Sequence, residues 1–249
     1  MEVHHPHHPT HKKKVKEYFL EFFMLFFAVT LGFFAENLRE DSVERHREKE
    51  YMESMHEDLM KDTAELSDAI AYIDRQVKGI DTSLMILRKP TLTHEDEMKL
   101  YAINLGILGN RGSHLTNRTS SQLQNAGGMR LVKSAAIGNM LAEYWQAYQF
   151  SQRFDDVIGD LKFKARDQSY RIFNQFYYQN MENGTAAAVV QDDAKLMTKD
   201  YLTLVEYANR LSHVMNSMRN VERVSYTRQR ETAIELMKAI EETYHLEIR

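Results

Sequence analysis

A chain of 249 residues with a formal net charge of −4 and no cysteine excludes disulfides, thiol chemistry and Cys-based zinc sites. It also lacks the basic excess of a nucleic-acid binder. Only three prolines occur, Pro6, Pro9 and Pro90, and only ten glycines. With so little turn punctuation and so many good helix formers, the composition reads as all-α rather than as a sheet protein.

The first element is a His- and Lys-rich tail over residues 1–17. Its imidazoles at His4, His5, His7 and His8 could take a transition metal. In a short exposed tail, adventitious affinity for nickel or zinc is the simpler expectation, so no cofactor is expected for the chain.

Residues 18–35 read YFLEFFMLFFAVTLGFFA, a stretch of 18 residues with one charge. That sits at the lower limit for a bilayer span. Val15 before it and Leu38 after it extend the apolar run, and the flanking lysines snorkel. The expectation is a transmembrane helix over 18–36. A buried core helix is the alternative, but the density of Phe, Leu and Val matches no later segment. A cleavable signal peptide would need a small-x-small site, and Phe33-Phe34-Ala35 is a poor one. The segment therefore reads as an uncleaved signal anchor. Lys12, Lys13, Lys14 and Lys16 cluster just before it, while Arg39, Arg45, Arg47 and Lys49 lie further from it. Proximity of positive charge places the N-terminus in the cytoplasm. The expectation is a single-pass protein of a bacterial inner membrane with its large domain in the periplasm.

The helical period divides this segment into two faces. At 3.6 residues per turn, Glu21, Leu25, Ala28, Gly32 and Ala35 fall within about 40° of one line. Phe19, Phe22, Phe23, Phe26, Phe33 and Phe34 occupy the other side and read as lipid-facing. Ala28 and Gly32 have small-xxx-small spacing, which lets helices approach closely in lipid. The small face is expected to be a helix–helix interface, most simply between copies of the chain. Glu21 faces either a shared interior, where an ionisable group marks a pathway, or the membrane surface, where it snorkels.

Residues 37–51 form a charged run with almost no apolar face, expected to be a helical stalk. From residue 52 a heptad begins: Met52, Met55, Leu59, Leu66, Ile70, Ile73, Val77, Ile80, Leu84 and Leu87, with Thr63 filling one seam position. A break is expected near Arg88, ahead of Pro90. Thr93 reads as the N-cap of a short helix whose first turn is acidic. It runs over 93–108, a second short helix follows at about 117–125, and both are expected at the distal tip, over 93–126. Long helices are expected over 134–181 and 191–246, the first antiparallel to the heptad helix, completing an antiparallel, coiled-coil-like bundle over 52–249. In that arrangement Phe173, Phe176, Tyr177 and Tyr178 would reach the headgroup layer. Arg219, Arg223, Tyr226 and Arg230 share one face of the last helix and could receive an acidic partner or a lipid headgroup, or simply pair with neighbouring carboxylates.

No catalytic constellation emerges. Glu-x-x-His occurs once, at Glu53 and His56, whereas a di-iron bundle needs two copies. His46/Glu50 and Asp58/Asp62 have i,i+4 spacing, as a charged helix produces by chance. There is no P-loop, GxSxG or GxGxxG. Three stretches, KEYFLEFFMLFFAVTLGFFAENLRE, HREKEYMESMHEDLMKD and the segment 122–132 (QLQNAGGMRLV), resemble an uncharacterised family of single-span membrane proteins from Bacteroidota. The resemblance implies topology and source but no chemistry. The expected function is non-enzymatic: a membrane-anchored helical scaffold or subunit of an envelope complex that self-associates through its anchor. The alternatives are an oligomeric ion-conducting or proton-coupled assembly using Glu21, and a periplasmic ligand sensor acting through a partner.

Overall fold

The computed structural model describes residues 14–125, 127–178 and 190–246; the four tail histidines lie outside them. The chain divides into two compact units, Met1–Glu50 and Tyr51–Arg249. The α-helices are α1 (Val15–Leu87), α2 (His94–Ile107), α3 (Arg118–Asn125), α4 (Ala135–Ser169), α5 (Tyr201–Ser217) and α6 (Arg223–Tyr244), with no strand longer than an isolated bridge among the described residues. The fold is all-α.

In the second unit α1 lays down the apolar seam that its heptad predicts. Met52, Met55, Leu59, Leu66, Ile73, Val77, Ile80 and Leu84 are all buried. One seam position differs from expectation. Thr63 is only half-buried, and the residue facing the core between Leu59 and Leu66 is Asp62. Spacings of three and four connect 59, 62 and 66 as readily as the apolar positions, so the carboxylate follows the same helical period.

α1 ends at Leu87, ahead of Pro90, and α2 begins with a capping box: the Thr93 hydroxyl accepts from the Asp96 amide, and the Asp96 carboxylate accepts from the Thr93 amide. Lys89, 2.6 Å away, and the cap amide together hold the Asp96 carboxyl down at about 2. Its stabilising contribution is therefore complete above the unfolded Asp value of about 4 and is lost only as pH falls towards 2.

The segment after α2 does not sit at a tip. It runs back along α1. Gln76 donates to the carbonyls of Gly106 and Gly109, Arg111 pairs with Glu65, the Thr116 amide donates to Asp62, and the Thr119 amide donates to Asp58. Residues from 106 to 119 thus meet α1 residues of falling number, 76 to 58. α4 consequently starts beside the Met55–Leu59 end and runs parallel to α1, not antiparallel: Tyr144 donates to Asp62, and Lys162 to Gln76. α5 and α6 return antiparallel to both. Arg223 pairs with Asp74, Arg230 donates to Ser67, and His56 lies 2.6 Å from Glu241. The result is an up-down-up-down bundle in which α2, α3 and their loop make the second stave.

Two expected helices are shorter than their composition implies. α4 stops at Ser169, because Ile172 and Phe173 turn into the core, and the Asn174 side chain then caps a 3-10 turn, Gln175–Tyr177. The last helix starts at Tyr201 instead of 191. Glu97 takes the Leu196 amide at 2.7 Å and the Tyr101 hydroxyl donates to the Lys195 carbonyl, so backbone groups that a helix would pair internally go to α2 instead. Asp200 then caps α5 by accepting from Thr203.

The aromatic group expected at a membrane surface is instead part of the core. Phe173, Tyr177 and Tyr178 surround the buried Tyr101 at centroid distances of 5.1, 5.9 and 5.4 Å. They join the cluster containing Ile80, Leu84 and Tyr207, at the opposite end of this unit from Tyr51. Tyr178 donates to the Tyr101 carbonyl, and burial pushes its phenol up to about 12. Phe176 alone points out, 91% exposed. Phe173→Ala is expected to lower unfolding stability by about 3–5 kcal/mol, as a buried aromatic truncation does. Phe176→Ala is expected to stay within about 0.5 kcal/mol. Thermal or denaturant unfolding of the two variants checks the assignment.

Candidate functional site: an exposed apolar helix and a polar layer inside the bundle

In the first unit, every residue of 18–35 is exposed. α1 is unbroken there, so the two faces read from the sequence are real faces of one helix. Phe22 stacks on Phe26 and Phe23 on Phe27, each pair 6.2 Å apart, along the aromatic side. On the other side a methyl group added at Gly32 would meet nothing within 4 Å. Thr30 returns its hydroxyl to the Phe26 carbonyl at 2.8 Å, which leaves no polar group of its own to present laterally. The helix is long and apolar enough to cross a membrane.

The second unit rearranges the other expected site. Arg219, Arg223, Tyr226 and Arg230 do not form a free outward face. A π-helical turn, Met218–Glu222, lies between α5 and α6 and shifts Arg219 out of register with the other three, which keep their spacing on α6 but turn inward. Arg219 lies exposed on that turn, Arg223 and Arg230 turn to α1, and Tyr226 is buried with its hydroxyl 2.7 Å from Asp155. Pairing with a carboxylate describes Arg223 with Asp74, whereas Arg230 donates to the Ser67 hydroxyl.

The polar chemistry lies inside the bundle, and Asp58 and Asp62, whose i,i+4 spacing reads as chance on a charged helix, are buried in it. Asp58 accepts from the Thr119 amide and hydroxyl, and from Arg118 at 3.3 Å. Asp62 accepts from the Thr116 amide and from Tyr144 at 2.5 Å. Burial pushes the Asp62 carboxyl above the usual carboxylate range despite these donors. Further along, Ser151 donates to Gln229, and Lys162 donates to Gln76 while lying 3.6 Å from Glu222. Lys162 and Glu222 are 1% and 5% exposed. Burial lowers the Lys162 ammonium and raises the Glu222 carboxyl, so each is shifted towards its neutral form. Glu222 Oε2 and Gln229 Nε2 have no hydrogen-bond partner among the described residues.

These groups pin helices together. Asp58 and Asp62 satisfy loop amides, and Lys162 ties α1 and α4 to the π-turn. No group of three or more metal-ligating side chains converges among the described residues. The sequence did carry a signal for the layer. Asp62 fits the 59–62–66 seam, Lys162 lies four residues after Ile158 and three before Ala165, and Glu222 follows Met218 by four. Charged residues in register with a buried stripe are the mark of a buried polar layer.

Removing one member of the buried pair leaves an uncompensated charge. Lys162→Met is expected to cost about 3–5 kcal/mol, and the double variant Lys162→Met/Glu222→Leu to recover most of the loss, as replacing a whole buried pair by apolar residues does. A double-mutant cycle by denaturant unfolding measures this. Asp155 is raised by burial and accepts from Tyr226. Its contribution is fully present below about pH 4 and is lost as pH rises through its folded value. Asp155→Asn is expected to flatten the fall in melting temperature as pH rises above about 4.

No protein-family model, no curated protein and no solved structure matches this chain.

Proposed function

We propose that the protein is a non-enzymatic, membrane-anchored helical scaffold or subunit of an envelope membrane complex. The observation that carries this is the anchor segment: eighteen consecutive residues with one charge, all exposed on an unbroken helix. An apolar surface of that extent needs lipid or protein to cover it. The basic cluster at 12–16 supports a cytoplasmic N-terminus and a periplasmic bundle in a bacterial inner membrane. The resemblance to single-span proteins of Bacteroidota agrees with this topology.

Self-association through Glu21, Leu25, Ala28, Gly32 and Ala35 is the second part of the proposal. The open space around Gly32 supports it, since a partner helix could approach the backbone there. The polar layers of the bundle support a structural role, because their hydrogen bonds are spent on holding helices in register.

Three measurements test the proposal. The full chain is expected to stay with membranes through alkaline carbonate washing, and a chain lacking 1–36 to be released; release of both would refute the anchor. Reporter fusions at the C-terminus are expected to be active only in the periplasm. Gly32→Leu is expected to lower self-association in a membrane two-hybrid assay by about tenfold, roughly 1–2 kcal/mol per interhelical contact set. An unchanged signal removes the interface.

A further inference from the structure

Trp145 is the chain's one tryptophan. It lies half-buried on α4 where α4 faces α3, and it lines two recesses that also share Ser120. The larger has a volume of about 330 Å³ and a floor of Leu123, Met129 and Leu141. The smaller, about 100 Å³, is lined by hydroxyl and amide groups that include Thr116, Asn117 and Ser121. Gln124, Gln146 and Gln149 rim the larger recess.

No residue lining either recess is charged, although 27% of the chain is Asp, Glu, Lys or Arg. The groove on the other flank of α4 differs: Glu143 and Arg228 both line it. The uncharged cleft is built by groups already described. Asp58 and Asp62 hold the 116–119 wall from inside without lining either recess. Gly127, at φ 66°, turns the chain into the 3-10 turn Gly128–Leu131, which carries Met129. A Cβ at Gly128 would lie 3.0 Å from the Leu123 Cα, so glycine is what lets this turn close against α3.

A cleft of this size with an apolar floor and a few convergent polar groups has the form of a small-molecule site. Its lining gives no counter-charge to an ion, and an ion there would be desolvated without compensation. An apolar ring fits the Leu123–Met129–Leu141 floor beside the indole. Hydroxyl groups fit the Asn117, Ser121 and glutamine side chains. We infer that the α3–α4 cleft binds an uncharged amphiphile of the glycoside class: an apolar group joined to a polyhydroxylated ring. The site is independent of the anchor, so the inference stands whether or not residues 18–35 cross a bilayer.

Because the chain has a single tryptophan, its selectively excited emission reports on the cleft alone. The full chain in lipid nanodiscs would be titrated with phenyl β-D-glucopyranoside, with D-glucose and phenyl phosphate as probes lacking the apolar group and the neutrality respectively. A saturable emission change with phenyl glucoside is expected, at least about tenfold weaker for either comparison probe. Gln149→Glu, at an exposed rim position that the Glu143–Arg228 groove does not share, is expected to change phenyl glucoside affinity by about tenfold and to leave the melting temperature in place. Heat of binding by calorimetry repeats the measurement without the fluorophore. No saturable response up to about 10 mM, an equal response to phenyl phosphate, or an unchanged affinity in Gln149→Glu would each overturn the assignment.

Discussion

Two aspartates on α1 determine how the bundle is wound. Asp58 and Asp62 face the interior, where a carboxylate without donors is expensive. They are satisfied by the backbone amides of Thr119 and Thr116 and by the hydroxyls of Thr119 and Tyr144. The exchange works both ways, because a loop lying against a helix must itself find acceptors for its amides. Together with Gln76, which takes the Gly106 and Gly109 carbonyls, these residues draw the whole segment after α2 back along α1. Once that segment descends, α4 has to start low and climb beside α1, and α5 and α6 have to return. The direction of every later helix follows from that one strip of hydrogen bonds.

Above and below the strip the packing is apolar and separated into two clusters. Met52, Met55, Leu59, Leu123, Ile137, Leu141 and Leu236 form one, and the group around Ile80, Tyr101, Phe173 and Tyr207 the other. Apolar contacts are non-directional and tolerate a slipped register, whereas the Asp62–Tyr144 and Lys162–Gln76 contacts tolerate little. Lys162 also meets Glu222 on the π-turn, and beyond it Arg223 and Arg230 turn to α1. The two unpartnered atoms, Glu222 Oε2 and Gln229 Nε2, lie within this layer. A single buried carboxylate–ammonium contact thus accompanies the one irregularity in the C-terminal helices.

Functionally, the two units have opposite surface logic. The first exposes its apolar residues continuously over 18–35. The second buries its apolar seam and holds Lys162 and Glu222 inside, while pairs such as Arg223–Asp74 and Lys164–Asp160 lie on its surface. That division is the basis of the proposal of an anchored scaffold. The uncharged cleft at Trp145 gives the bundle a surface distinct from the anchor, so anchoring and recognition need not compete for the same residues.

Much of the molecule was legible before any coordinates. Helical class, the break before Pro90, the Thr93 cap, the seam from Met52 to Leu84 and the two faces of the apolar segment all follow from period and local chemistry, which act over one or two turns. The ends of α4 and α5 did not follow, because no Gly or Pro marks them; Tyr101 and Glu97, some seventy to a hundred residues away in sequence, capture Asn174, Lys195 and Leu196 instead. Arg219 left the face it shares with Arg223, Tyr226 and Arg230 because the π-turn changes register without changing composition, and the other three turned inward because partners on α1 and α4 meet them there. The direction of α4 also escaped the sequence, since a heptad states which side of a helix is buried but not which way its neighbour runs. Local periodicity determined the helices and the two-sided apolar segment; the placement of a few buried polar groups, a property of the assembled tertiary structure, decided how the bundle helices are stacked.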